Sequence, residues 1–592
     1  YGGLGNSAPY SSGEKNTAVG ANAFGAFTTA LQVTAIGHNA GSALTSGGYN
    51  TFVGADAGQN VTTTLYGVGI GTEAMRGAGA NSLIAIGYGA LDATNSTDAL
   101  GSIGIGHAAL GSMNSGIGNV AIGYAALGTE DDGDYNTAVG HQALTAQTGV
   151  SGEVANTAIG YQAGLAITTS IYNTLVGYHA GKSLTGGSGR SVFIGMRAGD
   201  AATLSHYNVG IGYDAMGSNQ VGSHNIVIGG AAGFDLQGPE NVIIGSSAGA
   251  NLTTSSGSVA IGNNALTTAT TDKYGVAIGW EAMKLTPAGL ALETTIAIGY
   301  RAMYGAGATS GISGNVAIGS SAGYAITSGG NNVFLGYSAA HNVTTGGKNV
   351  IVGRHAGNKL GAGSEDTYIG YSAGFYATGS QNTFVGSEAG KGGTTSAPFS
   401  SGINNTALGY QALTAFTTGY SNVAVGNQAG DAITSGYENV AVGQGALGAA
   451  NDGYQNTAIG HLAMGNSAAN AGSSNVAIGY RTMEEVNDGF SNTYIGTLSG
   501  GSEGFVSGDY NVGIGHQADK TRAAGNYNIS IGYRANEYQG AGGGSNSIAI
   551  GQNASLHYGR IAVGVYQSKS NRIAVGSYAG AYMTSGDNST II

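Results

Sequence analysis

The sequence is notable first for what it lacks. It has no cysteine, so neither disulfide bonds nor thiolate metal sites hold the fold. Charged residues make up only 8% of the chain, against roughly 25% in ordinary globular domains. The formal net charge is −12, which argues against a nucleic-acid partner because phosphates require a basic surface. No apolar run approaches the roughly 20 residues of a membrane-spanning helix, so no membrane span is expected.

Glycine is abundant, with 112 of 592 residues, while proline occurs only 4 times. Hydrophobic residues total 42% and recur in strict register, which argues against a disordered chain. The sequence starts at Tyr1 without Met or a signal peptide. This indicates a processed chain or a fragment of a longer protein.

A phrase of the form Asn-Val-Ala-Ile-Gly-x-x-Ala, followed by Leu or Gly, recurs along the whole chain. Its central glycine, here called the repeat glycine, occurs in 33 copies from Gly20 to Gly576, and 18 of the 32 intervals are 17 residues long. A fixed short period indicates one structural unit stacked many times. The sequence therefore predicts an all-β fold, a parallel β-solenoid of about 33 coils with a basic period of 17 residues. At about 4.8 Å per coil, the stack would be a rod of roughly 150 Å.

The positions around the repeat glycine predict the core. The residue before it is Ile, Val or Leu in every copy, and the Val-x-Ile alternation indicates a strand with one buried face. Alanine stands three residues after the glycine in 30 copies, which indicates a close approach of two backbones. An aliphatic residue seven after the glycine, followed by Thr, predicts a second short strand. The expected core residues are Ile36, Val53, Ile122, Ile159, Ile318, Ile478, Ala126, Ala163 and Ala322.

Asparagine stands four residues before the repeat glycine in 21 of 33 copies. Stacked coils would bring these side chains into a ladder in which each amide bonds the next. A row of ligand-binding amides is the alternative interpretation, and the structural ladder is favoured. Members of the expected ladder are Asn136, Asn156, Asn225, Asn422 and Asn456.

The phrase resembles the head repeats of trimeric autotransporter adhesins, the YadA-like head. It is equally similar to Asn-Thr-Ala-Val-Gly-Tyr-Gln-Ala-Leu arrays in phage tail fibres, and residues 405–413 and 156–164 come close to that wording. The resemblance covers residues 16 to about 580. It implies a left-handed β-roll, commonly trimeric, on an extracellular fibre at a cell surface or on a virion. The 17-residue period departs from the shorter period of those heads, and this sequence contains no heptad run of the kind that forms their coiled-coil stalk.

The spacing of the repeats divides the chain into three parts. Residues 1–15 lead into the repeats, residues 16–550 form the regular solenoid, and residues 551–592 form shortened coils and a C-terminal junction or cap. The longest interval, 23 residues, lies between Gly386 and Gly409, and the shortest, 13 and 12, lie at Gly551–Gly564–Gly576. Insertions are expected to bulge from the return loops and to contact partners. The ends are expected to join further protein or to stack end to end.

Residues with potential chemistry are few. The segment Glu130 to Asp134 is acidic enough to suggest a weakly bound Ca²⁺, but it lacks full calcium-loop spacing, so a solvated loop is favoured. The eleven histidines are interpreted as scattered surface substitutions. The Gly177 to Ser183 segment is one residue short of a phosphate loop. No catalytic, cofactor-binding or metal-binding residue is predicted, and the chain is not expected to be an enzyme.

Aromatic side chains are the most suggestive surface feature. The residue after the repeat glycine is Tyr in 11 copies and Trp once, and it is expected to face outward. Such rings either stack on sugars or pack against a neighbouring chain, or they cover backbone within their own chain. The candidate contact residues are Tyr88, Tyr124, Tyr161, Tyr178, Tyr300, Tyr410 and Trp280.

Three classes of function compete. The favoured class is an extracellular structural or adhesive fibre, as in a phage tail fibre or a surface adhesin, with an end-to-end filament as the alternative. Its expected partners are further copies of itself, as a homotrimer or filament, and glycans or a cell-surface receptor. A β-helix acyltransferase is disfavoured because its hexapeptide would occur three times per coil rather than once. Ice binding is disfavoured because the Thr row is irregular.

Overall fold

The computed structural model describes residues 12–77, 79–93, 99–148, 150–218, 222–285, 293–305, 312–449, 452–466, 472–485, 488–501, 508–520, 525–536, 545–554, 571–579 and 590–592. The first 11 residues and the repeat phrase around Gly564 lie outside these ranges. The described part of the chain is all-β and contains no helix, so it also holds no helix that could cross a membrane. It is a parallel β-solenoid with a period of about 17 residues, as the repeat predicts.

The chain divides into two compact units, Tyr1–Thr294 and Thr295–Ile592. In the first unit, one three-residue strand per coil precedes each repeat glycine. These strands are Thr17–Val19, Thr34–Ile36, Thr51–Val53, Val68–Ile70, Ile84–Ile86, Ile103–Ile105, Val120–Ile122, Thr137–Val139, Thr157–Ile159, Thr174–Val176, Val192–Ile194, Val209–Ile211, Ile226–Ile228, Val242–Ile244, Val259–Ile261 and Val276–Ile278.

The second unit repeats the same arrangement. Its strands are Ile296–Ile298, Val316–Ile318, Val333–Leu335, Val350–Val352, Thr367–Ile369, Thr383–Val385, Thr406–Leu408, Val423–Val425, Val440–Val442, Thr457–Ile459, Val476–Ile478, Thr493–Ile495, Val512–Ile514, Ile529–Ile531, Ile548–Ile550, Ile573–Val575 and the C-terminal Thr590–Ile591. Within each unit, consecutive strands pair in parallel with equivalent positions opposite one another, as in Ala260 opposite Ala277.

Two small parallel sheets lie outside the main ladder, both in the first unit. Gly133–Asp134 pairs with Gly152–Glu153, and Gly186–Gly189 pairs with Leu204–His206. Both are formed by return segments of adjacent coils. The return loops therefore also stack where their lengths allow it.

The repeat glycine is required by both conformation and space. At Gly123 the backbone φ is +138°, which side-chain-bearing residues rarely adopt. A Cβ atom there would also collide with the carbonyl oxygen of Gly140 in the next coil. The same relation joins repeat glycines from coil to coil, and it explains why this position does not vary.

The strands face the opposite way from the prediction. Ile36, Ile122, Ile159 and Ile318 are exposed, between 37% and 41%, and Val53 and Ile478 are half-buried. The middle residue of each strand points inward instead, and Ala121 is completely buried. A shift of one residue in a strand moves every side chain to the other face, and a three-residue strand gives too short an alternation to choose between them.

The alanines three residues after the repeat glycine lie inside the coil. Ala126, Ala163 and Ala322 are fully buried. They share the interior with the middle strand residue and with the residues four and seven after the glycine. The interior of each coil is therefore narrow, and it is filled from a few fixed positions.

Inward positions compensate one another in volume. Where the strand carries Ala121, Leu127 fills the interior four residues after the repeat glycine, and both are fully buried. Where the strand carries Phe384, that later position is Gly390, whose added Cβ would collide with the Phe384 ring. Close packing inside a protein requires such exchanges, since neither voids nor overlaps are tolerated.

The expected second strand is not formed in the described part of the chain. Its aliphatic residues are buried as expected, among them Leu44 and Ile167, but the segments around them are turns and bends. Coils still contact there, because the Thr45 N–H donates to the Thr62 carbonyl at 2.9 Å. Positive φ values two and four residues after the repeat glycine, as at Ala125 and Leu127, curl the chain before an extended strand can begin.

Two strands near the C-terminus pair across a longer stretch of chain. Ile548–Ile550 pairs directly with Ile573–Val575, and a Cβ added to Gly551 would meet the carbonyl of Gly576. The chain between these two strands includes Gly564 and Gln567, which lie outside the described residues.

Candidate functional site

The asparagine ladder lies inside the coils, on the inward side just before each strand. Asn136, Asn156, Asn225, Asn422 and Asn456 are all buried. The ladder is made chiefly by the side-chain oxygen, which accepts from the main-chain N–H of the next ladder residue. The Asn156 N–H donates to Asn136 Oδ1 at 3.0 Å, and the Asn241 N–H donates to Asn225 Oδ1 at 2.8 Å.

The side-chain nitrogen of the ladder residue holds the return loop. Asn422 Nδ2 donates to the Gly436 carbonyl at 2.8 Å, and Asn405 Nδ2 donates to the Gly419 carbonyl at 2.9 Å. That carbonyl belongs to the residue three positions before the next ladder residue. The buried amides of Asn405 and Asn422 thus fix both the strand and the loop of the following coil, as a structural ladder requires.

A second ladder is made by threonine hydroxyls eight residues after the repeat glycine. Thr45 Oγ1 donates to the Thr62 carbonyl at 3.1 Å, and Thr168 Oγ1 donates to the Thr185 carbonyl at 2.9 Å. These hydroxyls therefore bond main chain rather than present donors to solvent. A flat array of threonine donors, as an ice-binding surface would need, is not formed by these residues.

The outward face of the sheet is uncharged and largely aliphatic, with threonine at the first position of some strands. The first and third residues of each strand point to solvent, and Ile159, Leu335, Val350 and Leu408 are exposed between 38% and 48%. These residues form two rows that run from coil to coil, one of Ile, Val and Leu and the other of Val and Ile with some Thr, here called the aliphatic rows. An exposed apolar area of this extent is typical of a surface that another protein covers.

Beside the aliphatic rows, in the first unit, lies a continuous stack of aromatic rings at the position after the repeat glycine. The stack runs through six consecutive coils: Tyr88, His107, Tyr124, His141, Tyr161 and Tyr178. Neighbouring ring centroids are 4.9 to 5.3 Å apart. The four tyrosines are 42% to 51% exposed. We call these six residues the aromatic row.

The geometry of the aromatic row limits what it can bind. The ring planes lie within 28° of parallel, so most ring faces contact the next ring. What the row presents to solvent is ring edges, phenol hydroxyls and imidazole nitrogens. Broad sugar stacking on the faces is therefore blocked within the row, and stacking between coils of one chain accounts for much of its packing.

The other predicted aromatic residues are exposed outside this stack. Tyr300 and Tyr410 are 47% and 50% exposed, and Trp280 is 55% exposed. Arg301 lies over the ring of Tyr300, with its guanidinium carbon 5.2 Å from the ring centroid. All seven candidate contact residues thus face outward, and four of them belong to the aromatic row.

A second mixed stack lies five residues before the repeat glycine. Arg190 is sandwiched between Tyr172 and Tyr207, with its guanidinium carbon 5.1 and 5.6 Å from the two ring centroids. Tyr207 then stacks on His224 at 4.9 Å. In the coils of Tyr172 and Tyr207, whose repeat glycines are followed by tyrosine, the aliphatic rows are therefore flanked by aromatic residues on both sides.

The carboxylates of the acidic segment Glu130 to Asp134 bond to different groups. Glu130 points into the coil and is fully buried, and its Oε1 accepts from the N–H of Gly133 at 2.8 Å. Asp132 Oδ1 accepts from the Ser115 hydroxyl, and Asp134 Oδ1 accepts from the Ile117 N–H. The carboxylates are thus engaged separately. Across the described ranges no group of three His, Cys, Asp or Glu is placed to hold a metal ion.

Three buried carboxyl groups have perturbed acidity, and burial is the largest cause in each. The pKa of Glu130 is raised, that of Asp272 is raised to about 6, and that of Asp366 is raised to about 7. Desolvation disfavours the charged form of an acid, so each carboxyl holds its proton more strongly than in water.

Sequence reasoning missed the role of two histidines. His107 and His141 are not scattered substitutions, because each fills a rung of the aromatic row between two tyrosines. The signal was present, since both follow a repeat glycine directly. Grouping residues by their place in the repeat, rather than by type, would have revealed the row.

Comparison of the chain with protein-family models and with curated proteins gives no match.

Proposed function

We propose that this chain is an extracellular structural protein, a rigid β-solenoid segment of a fibre such as a phage tail fibre or a bacterial surface adhesin, that associates with further copies of itself. It would act at a cell surface or on a virion, without catalytic activity and without a cofactor. The observation that carries the proposal is the pair of exposed aliphatic rows on the outward face of the sheet.

Rigidity follows from the bonding between coils. Within each unit, neighbouring coils are joined by strand pairing, as at Thr174 opposite Val192. Many coils are also joined by the asparagine ladder, as at Asn422, or by threonine hydroxyls, as at Thr168. Stacked repeats that contact only their neighbours suit a protein that acts as a spacer or a scaffold.

Self-association is supported by the composition of the outward face. Interface centres are depleted of charge and enriched in aromatic residues and Arg. Ile122 and Ile159 lie beside Tyr124 and Tyr161, and none of these side chains is charged. Two such faces would pack as sheets do, about 10 Å apart. Packing of these outward faces would give a homotrimer, whereas an end-to-end filament would form through the open ends of the solenoid.

Recognition of a glycan or a cell-surface receptor belongs to the same proposal. The hydroxyl edges of the aromatic row and the long loop between Gly386 and Gly409 are the surfaces that we assign to it. Tyrosine edges offer both apolar contact and hydrogen bonding, and stacked rings lose little freedom on binding.

The experiment is mass measurement by light scattering after size-exclusion chromatography. Wild-type chain is expected as a trimer or larger assembly. A double variant in the aliphatic rows, Ile122→Lys with Ile159→Lys, is expected to shift to the 58.2 kDa of a single chain, because two lysines would have to be desolvated in the interface.

The matched control places the same two charges on the turn side of the coil, as Asn60→Lys with Ser112→Lys. Both positions are exposed, so the assembly should persist. A wild-type mass of 58.2 kDa at all concentrations, or equal dissociation of both double variants, would refute the proposal.

A further inference from the structure

One rung of the polar ladder carries an acid. Asp366 occupies the ladder position between Asn349 and Asn382, and it is buried. Its main-chain N–H donates to Asn349 Oδ1 at 2.9 Å, and its own Oδ1 accepts from the Asn382 N–H at 2.8 Å. Asp366 therefore makes the same two ladder hydrogen bonds, through its main-chain N–H and its Oδ1, that an asparagine makes at this position.

Asp366 differs from the ladder asparagines in lacking the side-chain Nδ2 that bonds the return loop. Asn349 Nδ2 donates to the Gly363 carbonyl at 3.0 Å, and Asn382 Nδ2 donates to the Gly402 carbonyl at 3.1 Å. The equivalent carbonyl for Asp366 is that of Gly379, three positions before Asn382. An ionised carboxylate cannot donate to it, and Asp366 Oδ2 is buried with no hydrogen-bond partner.

We propose that Asp366 is a proton-operated joint between two coils. When it is protonated, its Oδ2–H donates to the Gly379 carbonyl and completes the ladder as an amide would. When it is ionised, two acceptors face one another in a buried space, and the loop that begins at Gly379 loosens. The device acts independently of the proposed fibre function.

The groups around Asp366 set the pH range in which the joint changes state. The pKa of Asp366 is raised to about 7: burial is the largest cause, hydrogen bonds from Asn382 and Tyr368 lower it, and Glu365 raises it. Glu365 is exposed and pairs with Lys348 at 3.1 Å. The pKa of Tyr368 lies well above its usual value, so this phenol stays protonated and keeps donating to Asp366 Oδ1 at 3.1 Å.

The joint lies at the base of the largest insertion in the repeat. Thr378, directly before Gly379, donates its N–H to the Ser400 carbonyl at 2.7 Å, and the Ser400 N–H donates to the Tyr376 carbonyl at 3.0 Å. The Phe399 ring stacks on Tyr376 at 5.9 Å. A change at Gly379 is therefore transmitted to the point where the insertion is attached.

Hydrogen–deuterium exchange of the full chain, corrected for the intrinsic effect of pH, tests the joint. Amides in peptides covering residues 376–402 should lose protection as the pH rises, with a midpoint near the pKa of about 7. In Asp366→Asn the same amides should stay protected across the whole range, because the amide restores the missing donor.

Asp519→Asn is the matched control. Asp519 is a buried carboxyl whose two oxygens already accept from Tyr494 Oη at 2.8 Å and Asn536 Nδ2 at 2.9 Å. Its substitution should leave the profile of residues 376–402 unchanged. A flat profile in the wild type, or an unchanged pH response in Asp366→Asn, would overturn the joint.

Tyr368→Phe keeps the inference testable if Asp366→Asn does not fold. This variant keeps the buried ring, which stacks on Phe384 at 5.0 Å, and removes only the hydroxyl that donates to the carboxylate. Loss of a donor to the charged form raises the pKa of an acid. The midpoint of the protection change should move to higher pH, and an unmoved midpoint would contradict the joint.

Discussion

Asn422 Oδ1 accepts a hydrogen bond from the main-chain N–H of Asn439, 3.0 Å away and 17 residues later in the chain. The same side chain donates from Nδ2 to the Gly436 carbonyl at 2.8 Å. One buried amide thus bonds two main-chain groups of the next coil. Most coils repeat this relation, so the sequence period places one ladder amide in each of them.

Asn422→Ala should destabilise the second unit by about 2 to 4 kcal/mol, because it leaves a buried N–H and a buried carbonyl without partners. The measurement is urea-induced unfolding monitored by circular dichroism. Asn422→Ser is the control, since Ser102 occupies a ladder position naturally and accepts from the Asn119 N–H at 3.1 Å. Equal losses in the two variants would show that the hydrogen bonds do not matter.

A second prediction concerns the two inward positions of a coil that compensate each other in volume, the middle strand residue and the residue four after the repeat glycine. Phe384→Ala should cost about 3 to 5 kcal/mol through the cavity it leaves. Gly390→Leu in the wild-type background should also destabilise, because the added side chain overlaps Phe384. The double variant recreates the natural combination of Ala121 with Leu127 and should be more stable than either single variant. Thermal unfolding checks this, and simple additivity of the two losses would contradict it.

We predict that the aromatic row stabilises the fold through ring stacking and not through the tyrosine hydroxyls. Tyr124 stacks on His107 at 5.0 Å and on His141 at 4.9 Å. Tyr124→Ala should lose both contacts, about 1 to 3 kcal/mol in total, as measured by thermal unfolding. Tyr124→Phe keeps the stack and removes only the hydroxyl, so it should leave stability unchanged. A large loss in Tyr124→Phe would mean that the hydroxyl, not the stacking, stabilises this row.

The features of the fold that depend on the repeat could be predicted from the sequence. Which side chains of each strand point inward could not. The period, the strand positions and the ladder containing Asn136 follow from residue identity at fixed spacing. The choice between Ala121 and Ile122 as the inward residue does not, since both are apolar and the strand is only three residues long. The narrow interior that decides it exists only once the coil has closed.

The candidate surface was predictable in part for the same reason. The outward position of Tyr124 follows from its place beside the repeat glycine. Its stacking between His107 and His141 depends on coil spacing that residue type does not reveal. The orphan oxygen of Asp366 required the geometry of its rung, because in the sequence it is a single exchange of Asn for Asp.

Asp272 gives a prediction for the dependence of stability on pH. Its pKa is about 6 in the folded chain, against a usual 3.8, because it is buried. Folding favours the protonated carboxyl. The stability that Asp272 contributes is therefore complete below its usual pKa of 3.8, and it is lost as the pH rises through about 6. A shift of about two pKa units corresponds to on the order of 2 to 3 kcal/mol.

Asp272→Ser should remove that loss, since Ser255 fills the same position of the preceding coil and is fully buried. Thermal unfolding at acidic and neutral pH measures the difference. The control is Asp452→Ser at an exposed position, which should follow the wild type. An Asp272→Ser variant with the same acid-to-neutral loss as the wild type would show that another group carries it.

The most direct test of a self-associating β-solenoid fibre is cryo-electron microscopy of the purified chain, with the mass of the same particles measured in solution. The predicted result is particles of three chains, or filaments of more, with an axial spacing of about 4.8 Å between coils. Monomers of 58.2 kDa, or particles without that spacing, would contradict it.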